Sequence, residues 1–159
     1  MASSLASLFL GAWITWVSTN RREDRNRAKE HAIALRKAGR EFVDEVRDYC
    51  DAQLKDNGST AELRRKRDQL NTQLAVTRLM RPEWTAPDVL RAELDAFDGS
   101  VAEGWYFEDD RSERRPRAAA VIEAVETLDR RIEVVVQALQ RPGDADDLLG
   151  AEFGQVVGA

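Results

Sequence analysis

The side chains able to do chemistry are few, and their spacing decides against most of it. His31 is the sole histidine and Cys50 the sole cysteine. A nucleophilic triad needs a histidine beside a nucleophile on a sharp turn, and no nucleophile-elbow segment occurs. A structural or catalytic zinc needs a set of Cys and His ligands that this chain lacks. A carboxylate di-metal bundle needs paired Glu-x-x-His segments, and there are none. Phosphate-cradling glycine loops and dinucleotide fingerprints are equally absent. The sequence therefore predicts a non-enzymatic protein, with no catalytic residue, no cofactor, no metal and no small-molecule substrate.

The charged runs carry less than they first suggest. Asp44, Glu45 and Asp48 form one acidic group and Glu108-Asp109-Asp110 another, but neither has the spacing of a calcium loop. Solvated helix faces account for both. Arg64 to Arg67, Arg111 with Arg114, Arg115 and Arg117, and Arg130-Arg131 are basic groups with acidic residues interleaved. The chain is acidic overall, with a net charge of −5 and a pI near 5.1. A dedicated nucleic-acid binder is usually basic, so no nucleic-acid partner is expected. With one cysteine no intrachain disulfide can form, and Cys50 is expected beside a packed helix face.

The elements that organise the chain begin at its first residues. Met1 to Asn20, MASSLASLFLGAWITWVSTN, carries no charged side chain. At about 1.5 Å per residue a helix of this length reaches roughly 30 Å, one hydrocarbon core. Residues 1–20 are thus expected to be a transmembrane anchor, with Trp13 and Trp16 near the membrane–water boundary. A soluble or interfacial amphipathic helix is the competing expectation. Ser4, Ser7, Gly11, Thr15 and Ser18 fall on one strip of that helix. A small-residue strip lets two membrane helices approach closely, so Ser7, Gly11 and Thr15 are the expected packing residues.

A collar follows, with Arg21, Arg22, Arg25 and Arg27 as the expected contacts to lipid headgroups. Basic residues flanking a span stay on the cytoplasmic side. This orientation puts the N-terminus outside and the rest of the chain in the cytoplasm, at an inner (plasma) membrane.

Beyond the anchor the spacing predicts an all-α protein. Its transmembrane helix continues into a cytoplasmic three- or four-helix antiparallel bundle over 21–142, with helices about 21–55, 60–80, 86–98 and 112–140. In the first, Ala28, Ala32, Leu35, Gly39, Phe42, Val46 and Tyr49 recur at steps of four and three, a coiled-coil-like seam. Gly39 predicts a bend or a close helix contact. Asn57-Gly58 marks a turn, and Ser59 with Glu62 reads as a capping box. Leu63, Leu70, Leu74, Thr77 and Met80 form the second stripe, which ends before Arg81-Pro82. Thr85 caps the third helix, whose apolar face is Val89, Leu90, Leu94 and Phe97. Asp98-Gly99-Ser100 predicts its stop or a kink. Trp105-Tyr106-Phe107 reads as core or a lid over the bundle end, with a docking patch as the alternative.

The fourth helix has the clearest period. Val121, Val125, Leu128, Ile132, Val135 and Leu139 alternate by three and four, the expected bundle or oligomer seam, within or between chains. It stops at Arg141-Pro142-Gly143. Residues 143–159 are expected to be a mobile acidic tail, with Leu148, Leu149 and Phe153 as a possible docking motif.

The uncharged run Leu5 to Val17, followed by Arg21-Arg22-Glu23-Asp24-Arg25-Asn26-Arg27, resembles a loose class of short uncharacterised bacterial and prophage membrane proteins. These look like one N-terminal span with a cytoplasmic helical hairpin or bundle. The resemblance covers the first third of the chain and implies topology, not activity. The expected function is an interaction or scaffold subunit at the cytoplasmic face of a bacterial membrane. It would oligomerise with its own copies or recruit another membrane protein. The alternative is a membrane-perturbing phage-defence or exclusion effector that acts by clustering its membrane helices.

Overall fold

The computed structural model describes the backbone of residues 3–54, 60–104 and 111–154, and the side chains of residues 22–52, 61–97 and 116–154. The described residues form helices α1 (Ser3–Leu54), α2 (Thr60–Met80), α3 (Ala86–Gly104), α4 (Arg111–Gln140) and α5 (Ala145–Phe153), and no strand.

Cross-helix pairs give the topology. His31 meets Thr77 while Glu41 meets Lys66, so α2 runs antiparallel to α1. Arg36 meets Glu133 and Arg47 meets Glu126, so α4 does too. Asn71 bonds to Arg91, and Arg78 pairs with Asp88, which lays α3 antiparallel to α2. The first four helices therefore alternate in direction as an antiparallel bundle. Phe42 of α1 reaches across the middle to Phe97 of α3, edge to face with centroids 5.6 Å apart.

The core begins at Ala28, and the seam Ala32, Leu35, Phe42, Val46 and Tyr49 is buried along α1. Leu70, Leu74, Leu90 and Leu94 face it from α2 and α3. Arg78 holds the turn between those helices. Its Nη1 donates to the carbonyl oxygens of Pro82 and Trp84, and its Nε lies 3.0 Å from Asp88 Oδ2. Arg81 stacks on the buried Trp84 ring at 5.6 Å. These contacts tie down a loop that proline had taken out of the helix.

Gly39 is a point of close approach. A Cβ there would meet Ile132 Cγ2 of α4 at 3.3 Å and Cδ1 at 3.4 Å. The missing side chain lets α1 and α4 come together, which is the close contact and not a break, since α1 runs unbroken through it. Gly39→Leu should destabilise the bundle by about 1–3 kcal/mol through overpacking, despite a better helix former at the site. Urea unfolding would measure it, and an unchanged midpoint would refute the contact.

Several sequence expectations need correction. Among the described residues no helix is long and apolar enough to cross a membrane. The expected transmembrane helix over 1–20 finds no support there, because Ser3, Ser4, Ser7, Thr15 and Ser18 dilute its apolar residues. Asp98-Gly99-Ser100 does not stop α3, whose backbone continues to Gly104. One glycine costs a helix only about 1 kcal/mol, too little to end it without a proline. The segment after Pro142 is not merely an acidic tail: α5 folds back on α4, with Ala145 and Leu149 buried and Leu148 and Phe153 packed on the core. Gly154 ends α5 in the left-handed conformation, φ 63°, its N–H reaching the Gly150 carbonyl oxygen at 3.0 Å. The Asn57-Gly58 turn, Ser59 and the Trp105-Tyr106-Phe107 cluster lie outside the described residues.

Candidate functional site

The end of the bundle nearest the N-terminus gathers the collar. Asp24, Arg25, Ala28 and Lys29 of α1 share a cleft with Arg81, Leu139 and Pro142. The ends of α2 and α4 thus lie level with Asp24 to Ala28. The remaining length of α1, back to Ser3, is helix on the far side of that level. Arg22, Arg25 and Arg27 are exposed, and so are Glu23 and Asp24 between them. The side chains of Arg21, Ser7, Gly11 and Thr15 lie outside the described residues.

One helical turn into the bundle, His31 is buried against Thr77. The Thr77 hydroxyl donates to the Gln73 carbonyl oxygen at 2.9 Å, so its oxygen accepts from His31 Nε2–H at 2.8 Å. This chain of bonds puts a proton on Nε2. Burial lowers the imidazole pKa from 6.5. The linkage sign follows: the unfolded chain takes up a proton at higher pH than the folded one. Stability is complete above pH 6.5 and falls as pH drops below 6.5 through the lowered folded value. Because His31 is the only histidine, one imidazole signal in an NMR titration reports it. The midpoint should lie below 6.5, and His31→Gln should flatten the pH dependence of unfolding in that window. A midpoint at or above 6.5 would overturn the assignment.

Several of the charged side chains are engaged with one another. Arg36 Nε and Nη2 clasp the Glu133 carboxylate at 2.8 and 2.6 Å, which holds that carboxyl below the usual range. Lys66 Nζ reaches Glu41 at 2.7 Å and lowers its pKa likewise. Arg65 pairs with Glu62, so that carboxylate turns to its own helix. Of the basic runs considered for phosphate contact, Arg65, Lys66, Arg67 and Arg131 are answered by acids of the same bundle, while the side chains of Arg111, Arg114 and Arg115 lie outside the described residues.

The six-residue α4 stripe is interior: Val121, Val125, Leu128, Ile132, Val135 and Leu139 are all buried within one chain. Cys50 is fully buried too, and burial pushes its thiol up to about 11. A thiol so far from ionising is a small apolar residue, not a nucleophile. Among the described residues no three His, Cys, Asp or Glu side chains converge as a metal site.

One feature had no sequence forecast. Arg131, noted only as part of a basic pair, joins three elements. It pairs with Glu93 of α3, approaches Glu152 of α5 at 3.4 Å through Nε, and lies 4.5 Å over the Phe153 ring. Its Nε is buried without a hydrogen-bond acceptor, so the Glu152 contact is an ion pair by proximity alone. Below Arg131 the surfaces of α3 and α4 enclose a groove of about 570 Å³, floored by Ala96, Phe97, Ala120, Ala124 and Leu128. A second helical stripe on α4, Ala120, Ala124, Thr127 and Arg131, was the signal available for it. No family model matches this chain, and neither does any curated protein or solved structure.

Proposed function

We propose that this chain is a membrane-attached, non-enzymatic interaction or scaffold protein, its bundle held at the cytoplasmic face of a bacterial membrane by residues 1–20. The observation that carries this is the continuity of α1. One helix enters the bundle core at Ala28, while its earlier part lies beyond the ends of the antiparallel α2 and α4. That earlier part is the uncharged stretch of the sequence, and the exposed Arg22, Arg25 and Arg27 stand at the junction.

The marginal apolarity of the stretch bears on how it is held. Leu5, Leu8, Phe9, Leu10, Ile14 and Val17 favour insertion by about 0.3–0.6 kcal/mol each at a helix centre. Serines and threonines offset part of this. A helix this weak gains from putting its hydroxyls and Gly11 against another helix instead of lipid. The attachment reading therefore includes pairing through Ser7, Gly11 and Thr15, with a second copy or another membrane protein.

Carbonate extraction of native membranes tests it. A paired span stays in the pellet, and Gly11→Leu shifts the chain toward extraction. An interfacial helix is released at high pH but pellets at neutral pH. A chain that never pellets sinks the proposal.

A further inference from the structure

The cleft at the N-terminal end of the bundle gathers cations that have no acid to answer them. Arg25, Lys29, Arg81 and Gln140 line it over a floor of Ala28 and Leu139, and it holds about 340 Å³, the lower end of the range for small-ligand sites. A hollow alongside shares Asp24, Ala28 and Arg81 and adds Arg27. Farther along the bundle Arg36, Arg47, Lys66 and Arg131 are each paired with a carboxylate. Among the described residues Arg25, Arg27, Lys29 and Arg81 form no ion pair, although Asp24 stands between them. We propose that this cleft binds a phosphate-bearing anion, and that the source is the headgroup of an anionic phospholipid. The source rests on the membrane-attached reading; the cleft itself does not.

Charge selects an anion. The two hollows carry four cations against one carboxylate, Asp24. At about 100° per residue, Glu23 and Glu30 fall roughly 140° and 160° round α1 from Ala28, on its outer side, and Arg22 falls roughly 120° from it. Arg78 and Asp88 close on each other. Arg141 and Asp144 flank Pro142 with opposite signs, and they, Glu83, Asp146 and Asp147 are exposed and line neither hollow. Of the residues before Arg22, whose side chains lie outside the described ones, none is acidic and Arg21 is basic. α5 runs away from this end, from Ala145 to Phe153 beside Arg131. Arg81 is also held in place, its guanidinium over the Trp84 ring.

Height on α1 selects the source. From Asn20, where the uncharged stretch ends, α1 rises about 7.5 Å to Arg25 and about 13.5 Å to Lys29. The polar layer of a bilayer is about 5–8 Å deep on each side. Arg25 thus stands at headgroup level, with Lys29 and Arg81 on the bundle side of it. A phosphate between them accepts from two guanidinium groups and one ammonium, the donors that bind phosphate most strongly. A zwitterionic headgroup would bring its own ammonium toward four cations, with Asp24 alone to answer it.

The test uses the full chain in neutral-detergent micelles holding equimolar phosphatidylglycerol and phosphatidylcholine. Native mass spectrometry counts the lipids that stay on the chain. Phosphatidylglycerol should be retained over phosphatidylcholine by about tenfold or more. Lys29→Gln, at an exposed position, should cut that preference about fivefold, the worth of one basic charge beside an anionic lipid. Arg81→Gln should do the same, and Asp24→Asn should raise the preference by a similar factor. Arg64→Gln, exposed near the far end of α2, should leave it unchanged. A second arm titrates the chain with inorganic phosphate in lipid-free micelles. Phosphate binding that Lys29→Gln weakens, without any lipid preference, keeps the cleft and overturns the lipid source. Equal retention of both lipids with no phosphate binding overturns the cleft, as does a preference that Lys29→Gln and Asp24→Asn leave unchanged. Carbonate extraction reads attachment separately, so a chain that pellets without showing the preference keeps its anchor and loses the cleft.

Discussion

Phe42→Ala should cost the bundle about 3–5 kcal/mol, the range for deleting a buried aromatic from a packed interior. Phe42 is 1% exposed, and its ring meets Phe97 edge to face across the axis of the bundle. It also lies one turn from Gly39, where Ile132 of α4 comes close to α1. Its ring partner Phe97 is fixed on another helix of the same core, so the space left behind has little freedom to collapse. A domain of this size has about 5–15 kcal/mol in total, so the loss is a large share of it. Urea unfolding should show a lower midpoint with an unchanged slope. Ile33→Ala is the matched control: Ile33 is 61% exposed on the outside of the same helix, and its removal should stay within about 0.5 kcal/mol. A loss under about 1 kcal/mol for Phe42→Ala would mean the aromatic pair does not hold the centre together.

That core was legible because its signal is a period. The α1 seam and the α4 stripe each repeat at three and four, and every position named in them is buried. Gly39 was legible as an exception within a period, although its partner Ile132 was not. What escaped was set by geometry between elements. Thr77 sits at a stripe position of α2, so a polar side chain facing the core could be read from the sequence. That its partner is His31, 46 residues earlier, could not. Arg131 stands beside Arg130 in the sequence and looks no different from it, yet Arg130 bonds to Thr127 while Arg131 joins α3 and α5. α5 was missed because nine residues with an acidic first turn carry too short a pattern to distinguish docking from fraying. Leu149 and Phe153 are held by the core and the face of α4 they meet, which no local window contains. The uncharged stretch 1–20 is the reverse case. Its composition is plain in the sequence, and its hydroxyl content decides how far it can serve as a span.

Deleting residues 2–20 should move the protein from the membrane pellet to the soluble fraction while leaving the bundle folded. The magnitudes separate two sources of attachment. Between residues 21 and 30 the basic side chains are Arg21, Arg22, Arg25, Arg27 and Lys29, set against Glu23, Asp24 and Glu30. At about 1 kcal/mol per net basic charge near an anionic surface, the collar supplies roughly 2 kcal/mol. That is about a thirtyfold preference and is too small to hold a protein on a membrane through repeated washing. On the proposed attachment, the apolar residues of the first twenty supply the rest. Changing Arg22, Arg25 and Arg27 to Gln should therefore weaken attachment in a salt-dependent way without abolishing it, and the deletion should abolish it at any salt. The described core starts at Ala28 and Arg22 to Arg27 are exposed, so the shortened chain loses none of that core. Its unfolding free energy should match the parent bundle within about 0.5 kcal/mol. If the shortened chain still pellets, attachment runs through the bundle and the role given to residues 1–20 is wrong. If it instead unfolds, those residues belong to the chain's own interior, and the soluble-helix alternative takes their place.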